Sequence, residues 1–168
     1  MNRFVLAALV AAVPAFTAPA APAFAGDYRA GGVEVRRPWT RPAPAGRNGA
    51  GYLTLVNVGS KPVKLVGVES PAARSVTLHQ TSQVNGVSSM RPVTDGLTLA
   101  PGAKVDFAPG GYHVMLIGLT QAQALGGKVP LTLVFDGGRK MRIDLSVEAG
   151  APKAGDGPAA MGGMHDHH

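Results

Sequence analysis

Val129-Pro130-Leu131-Thr132-Leu133-Val134-Phe135, then Asp136-Gly137-Gly138, then Met141-Arg142-Ile143-Asp144-Leu145-Ser146-Val147: two β-rich runs flank a cluster of turn residues and read as a hairpin. Working outward, the same alternation of β-rich runs with Gly, Pro, Asn and Asp extends back to Gly32. Val33-Glu34-Val35-Arg36 and Ser75-Val76-Thr77-Leu78-His79 alternate with period two, and Tyr52-Leu53-Thr54-Leu55-Val56-Asn57 and Tyr112-His113-Val114-Met115-Leu116-Ile117 are further strand runs. In residues 61–69, Val63 and Leu65 share one parity and Val66 and Val68 the other, which predicts a bulge. No segment keeps a 3.6-residue period; residues 121–125 offer one helical turn at most. Roughly eight short strands at this spacing predict an all-β antiparallel sandwich or barrel.

Composition agrees. The chain has 168 residues, 45% of them hydrophobic and 15% charged. That is enough apolar material for one core, and the length suits one domain. Gly (23) and Pro (14) exceed a fifth of the sequence, which argues against a helical bundle. Cysteine is absent. That excludes disulfides, thiolate zinc sites, iron–sulfur clusters and a blue-copper centre. The net charge is +6, but the basic residues are scattered and aromatics are only 5%, so no nucleic-acid partner is expected. Arg36, Arg37, Arg41 and Arg47 are denser than the rest and read either as a solvated face or as a docking patch for an acidic partner.

The two ends differ from the middle. Residues 1–25 read as a secretory signal peptide, with Arg3 before the apolar run of residues 4–13 and Ala23-Phe24-Ala25 as the cleavage site. The expected mature chain starts at Gly26, is exported to a bacterial periplasm and has no membrane span. Residues 26–148 would form the sandwich domain. Residues 149–168 are Gly/Ala/Pro-rich, offer no apolar face and are expected to be a disordered tail.

Methionine and histidine are unevenly placed. His79, Met90, His113 and Met115 lie in one stretch, and Met161, Met164, His165, His167 and His168 close the chain. On a strand, His113 and Met115 project to one face, and Val114 and Leu116 to the other. Asn85-Gly86 folds the chain back between His79 and Met90. Four side chains could therefore meet at one end of the sandwich. Two imidazoles and two thioethers form a soft, neutral donor set, which suits Cu(I) and is poor for zinc, magnesium or calcium. The tail adds imidazoles and Asp166 to its two thioethers, a set able to hold Cu(II) as well. No nucleophile–base pair and no paired carboxylates are recognisable, so no enzyme activity is expected. Trp39 and Tyr112 read as packing residues, and Pro109-Gly110-Gly111 as a turn that sets the His113 strand.

Trp39-Thr40-Arg41-Pro42, Gly51-Tyr52-Leu53-Thr54-Leu55-Val56-Asn57, Ser75-Val76-Thr77-Leu78-His79, Met90-Arg91-Pro92-Val93, residues 109–119 and Val129-Pro130-Leu131-Thr132-Leu133 together resemble the PCuAC family of periplasmic copper chaperones. The likeness spans residues 32–147. The family's pattern of His, ten residues, Met, a longer gap and His-x-Met falls on His79, Met90, His113 and Met115. The second gap holds 22 residues, one more than the family's, and the extra residue is expected in a loop around residues 97–104. Gln80 stands where many relatives carry an acid. The resemblance implies a cupredoxin-like Greek-key β-sandwich with a solvent-accessible Cu(I) site. It also implies delivery of copper to cytochrome c oxidase, mainly its CuA centre, with the oxidase copper subunit or a Sco-type thiol protein as partner. The alternative on the same residues is an exported copper-buffering or copper-tolerance protein without a dedicated oxidase partner.

Overall fold

Alternation with period two decides the C-terminal hairpin. In the computed structural model, which describes residues 27–151, β10 (Lys128–Phe135) and β11 (Lys140–Val147) pair antiparallel. Val129, Leu131, Leu133 and Phe135 of β10, and Met141, Ile143, Leu145 and Val147 of β11, turn inward and are buried. Each fully buried side chain of this size contributes about 1.5–3 kcal/mol. The connection is a single 3-10 turn, Asp136–Gly138.

The preceding strands are β1 (Tyr28–Ala30), β2 (Val33–Thr40), β3 (Gly49–Asn57), β4 (Val63–Glu69), β5 (Ala73–Val84), β6 (Val87–Pro92), β7 (Leu97–Leu99), β8 (Lys104–Phe107) and β9 (Tyr112–Leu119). One hydrogen-bonded path runs β6-β5-β9-β8-β3-β2-β11-β10-β4-β7; β1 adds to β2, and β9 also pairs with β3. The path closes over a single core to which every strand except β1 and β6 contributes. The result is a cupredoxin-like Greek-key β-sandwich, as the resemblance implied. No helix among the described residues is long and apolar enough to cross a membrane.

The bulge expected in residues 61–69 is present. Gly67 and Leu65 of β4 oppose consecutive residues of β10, so Val66 is the extra residue and stands out to solvent while Val63, Leu65 and Val68 are buried. Two local expectations differ from what is found. Residues 97–104 are not only loop: they hold β7, a turn and the first residue of β8. Residues 121–125 form no helical turn; Gln123 instead makes an isolated antiparallel bridge with Ala43. Short exposed strands carry little alternation, so nothing in their residues distinguished them from loop.

Gly51 shows how closely the layers meet. A Cβ there would lie 2.8 Å from Leu145 Cδ1 and 3.4 Å from Val114 Cβ. Gly51 is the partner of Val114 across β3 and β9, one residue along from Ala50 and Met115. The strand that carries Met115 thus packs so closely here that any larger residue at position 51 would have to displace the end of the Leu145 side chain. The signal peptide expected over residues 1–25 lies outside the described residues, as do Met161, Met164, His165, His167 and His168 of the tail.

Candidate metal centre

All four residues singled out in the middle of the sequence fall on one face of neighbouring strands. On β5 and β9, His79 is directly opposite His113, and Thr77 directly opposite Met115. On β6, Met90 is opposite Thr81. Thr77, His79 and Thr81 are alternate residues of β5 and so share a face. Register therefore places His79, Met90, His113 and Met115 on that same face. Beneath it, Val114 and Leu116 are fully buried, which ties β9 to the core. The β5–β6 turn is Asn85-Gly86 with φ of 52° and 77°, a left-handed pair of the kind that two-residue hairpins need.

The two imidazoles are 5.8 Å apart, centroid to centroid, and tilted by 42°. His113 is buried, and its Nδ1 lies 3.2 Å from the Gly111 carbonyl oxygen. A carbonyl only accepts, so Nδ1 must carry the proton and Nε2 the lone pair. The Pro109-Gly110-Gly111 turn supplies that carbonyl and is closed by a 3.0 Å bond from Gly111 N–H to Ala108 O. Nδ1 of His79 is also buried, but has no hydrogen-bond partner. Burial, and secondarily the neighbouring His113, pushes the His79 imidazole below the ordinary histidine range, so it favours the neutral form.

A cleft of about 400 Å³ is lined by Thr81, Met90, His113 and Met115 of this face together with Arg41, Tyr52 and Pro109; His79 lies on the same face but is not among the lining residues. No carboxylate lines it. Among the described residues, no three of His, Cys, Asp and Glu gather into a cluster. A metal site here must draw on thioether sulfur. Two neutral imidazoles and two thioethers leave the charge of a bound ion uncompensated, which favours a soft monovalent cation over a hard divalent one.

The remaining features read from sequence behave simply. Trp39 is buried against Tyr52 with ring centroids 4.7 Å apart, and Arg41 stacks over it at 5.9 Å. Tyr112 packs on Phe107. Of the four clustered arginines, Arg36 is held by Glu34 at 2.7 Å, while Arg41 borders the cleft. The sequence reading missed Thr77 and Thr81, which share the face with the candidate ligands; only the register reveals them.

The sandwich and its His/Met face define a class, the PCuAC domains. The chain is similar to the copper-bound PCuAC domain from PmoF2, at 30% identity with a TM-score of 0.59, covering 74% of this chain and 98% of that one. It is also similar to CuI-DR1885 from Deinococcus radiodurans, at 32% identity with a TM-score of 0.55, covering 67% and 75%. More particularly, the chain belongs to the LpqE-like family, described as "Putative lipoprotein LpqE-like", whose model matches residues 33–147. Among whole proteins it is similar to one of Leifsonia xyli subsp. xyli named "Putative lipoprotein Lxx21020", at 34% identity over 120 residues, which are 71% of this chain and 72% of that one.

Proposed function

We propose that the protein is a periplasmic copper metallochaperone that holds Cu(I) between His79, Met90, His113 and Met115. The observation that carries this reading is the pairing of His79 with His113 on a face that also bears both methionines, with Met90, His113 and Met115 lining one cleft. The copper-bound state of a similar PCuAC domain and the Cu(I) form of DR1885 support copper as the ion. The donor set supplies Cu(I) with no anionic ligand, so the ion stays exchangeable. An acceptor that offers thiolates outcompetes thioethers for it. Delivery runs toward the CuA centre of cytochrome c oxidase, through the oxidase copper subunit or a Sco-type thiol protein. Residues 1–25 direct export and are removed by cleavage after Ala25. Met161, Met164, His165, His167 and His168 form a second, weaker site that collects Cu(II), because ordering a Gly/Ala/Pro-rich tail costs conformational entropy.

Copper titration of the mature chain and of a chain ended after Ala151 tests both sites. The expected result is one Cu(I) retained in each and most Cu(II) uptake lost in the shorter chain. Equal Cu(II) uptake by the two would remove the tail site. Deletion of the protein in its host, with oxidase assembly as the readout, separates chaperone from buffer. A defect only in excess copper would favour the buffer.

A further inference from the structure

Two buried polar atoms on β5 lack a hydrogen-bond partner, and they are neighbours: Thr77 Oγ1 and His79 Nδ1. Residues i and i+2 of a strand share a face. Thr77 is opposite Met115 and His79 opposite His113, so Thr77 occupies the fourth corner of a square whose other corners are three candidate copper ligands. Leaving a buried hydroxyl and a buried ring nitrogen both unpaired is costly, and native structures seldom do so.

The tautomer of His79 follows from which nitrogen is hidden. Nδ1 is shut away from solvent. A metal held beside His113 therefore meets Nε2 of His79, and in a neutral ring that binds through Nε2 the proton sits on Nδ1. That proton needs an acceptor. Among the buried, unpartnered side-chain atoms of the described residues, Thr77 Oγ1 is the only oxygen. His113 already has the equivalent arrangement, with Nδ1 on the Gly111 carbonyl.

We propose that Thr77 is a positioning residue for His79. Its hydroxyl oxygen accepts the hydrogen bond from Nδ1–H, directly after a side-chain rotation or through one bridging water, and so leaves Nε2 free for a metal held beside His113. This rests on the ligand set proposed above. Supporting groups behind a metal-binding histidine commonly matter by ~10–100-fold in metal affinity.

The test uses the full mature chain, labelled with 15N and free of metal. Long-range 1H–15N spectra report the tautomer of His79 in the parent protein, Thr77→Val and Thr77→Ser. Valine keeps the shape and removes the oxygen; serine keeps the oxygen. The expected result is the Nδ1–H form in the parent and in Thr77→Ser, and a shift toward the Nε2–H form in Thr77→Val. Cu(I) affinity by chelator competition should fall ~10–100-fold in Thr77→Val and be restored in Thr77→Ser. If Thr77→Val fails to fold, Thr77→Ala replaces it. An unchanged tautomer in a folded variant lacking the hydroxyl overturns the proposal, as does a loss of stability with no tautomer change. Because the tautomer is read without copper, its outcome is separate from the ligand assignment, which His113→Ala tests by copper binding alone.

Discussion

Strands β9 and β6 both bring a methionine to the cleft, and they are built differently. β9 pairs with β5 and β3, and its Val114, Leu116 and Leu119 are sunk in the core. β6 ends the sheet, contributes nothing to the core, and leaves Met90 52% exposed. His113 and Met115 are therefore placed by the fold itself. Met90 is placed only by a hairpin and its turn. Few buried apolar contacts mean low local stability, so β6 is the part of the site able to open. If the proposed site binds copper, the difference would separate holding an ion from letting it go: one strand fixes the geometry, the other offers a candidate ligand whose departure costs the fold little.

The contrast can be broken by substitution. His113→Ala should reduce Cu(I) affinity by more than the ~100-fold that marks the upper end for merely supporting residues. Circular dichroism should show the fold intact. Met115→Ala should also exceed Met90→Ala in its effect. If Met90 proves the more costly loss, β6 is an anchor and the contrast is wrong.

Acidity provides the next largest effect. Only neutral imidazole binds copper, so affinity should fall as pH drops below about 6, with a dependence of at most two protons, one for each ring. The His79 share should enter late, because burial holds its folded pKa below the ordinary value. The same depression bears on stability. The unfolded chain takes up the His79 proton near pH 6.5 while the folded chain resists it, so the stabilisation present above that pH is lost as pH falls through the lower folded value. Chelator competition and thermal melts from pH 7.5 to 5 measure the two, and a slope steeper than two protons would implicate further groups.

Gly51→Ala tests the body under β9. The added methyl group meets Leu145, and overpacking of this kind costs about 1–3 kcal/mol, to be read in denaturant melts. Cu(I) affinity should weaken with it, since Gly51 pairs with Val114 beside Met115. Stability lost with affinity untouched would show that β9 does not need its support.

Met90→Ala should give the smallest change, about tenfold in Cu(I) affinity and within about 0.5 kcal/mol in stability, as for exposed positions generally. Stopped-flow transfer to a chelator should show the change mainly as faster release. Slower release would place Met90 outside the exit path.

How far the sequence could be read tracks the same division. β9, β10 and β11 are half buried, so burial writes a period of two into Tyr112-His113-Val114-Met115-Leu116-Ile117 and the C-terminal hairpin. Asn85-Gly86 marked its turn because few other residues accept that backbone. Val87-Ser88-Ser89-Met90-Arg91-Pro92 was not legible as a strand, since no face of β6 is buried. That His79 meets His113 rather than another residue depends on non-local register, which no local pattern records. Thr77 was invisible for the same reason: its place at the site exists only once β5 and β9 are aligned.

Gly111 O accepts the Thr81 N–H at 3.0 Å and lies 3.2 Å from His113 Nδ1. Its two lone pairs thus join the root of the β5–β6 hairpin to the orientation of a buried ring. Moving the hairpin would therefore bear on the ring through a shared acceptor. The tip of that hairpin, Val84 to Val87, begins three residues beyond Thr81, and both of its valines are exposed.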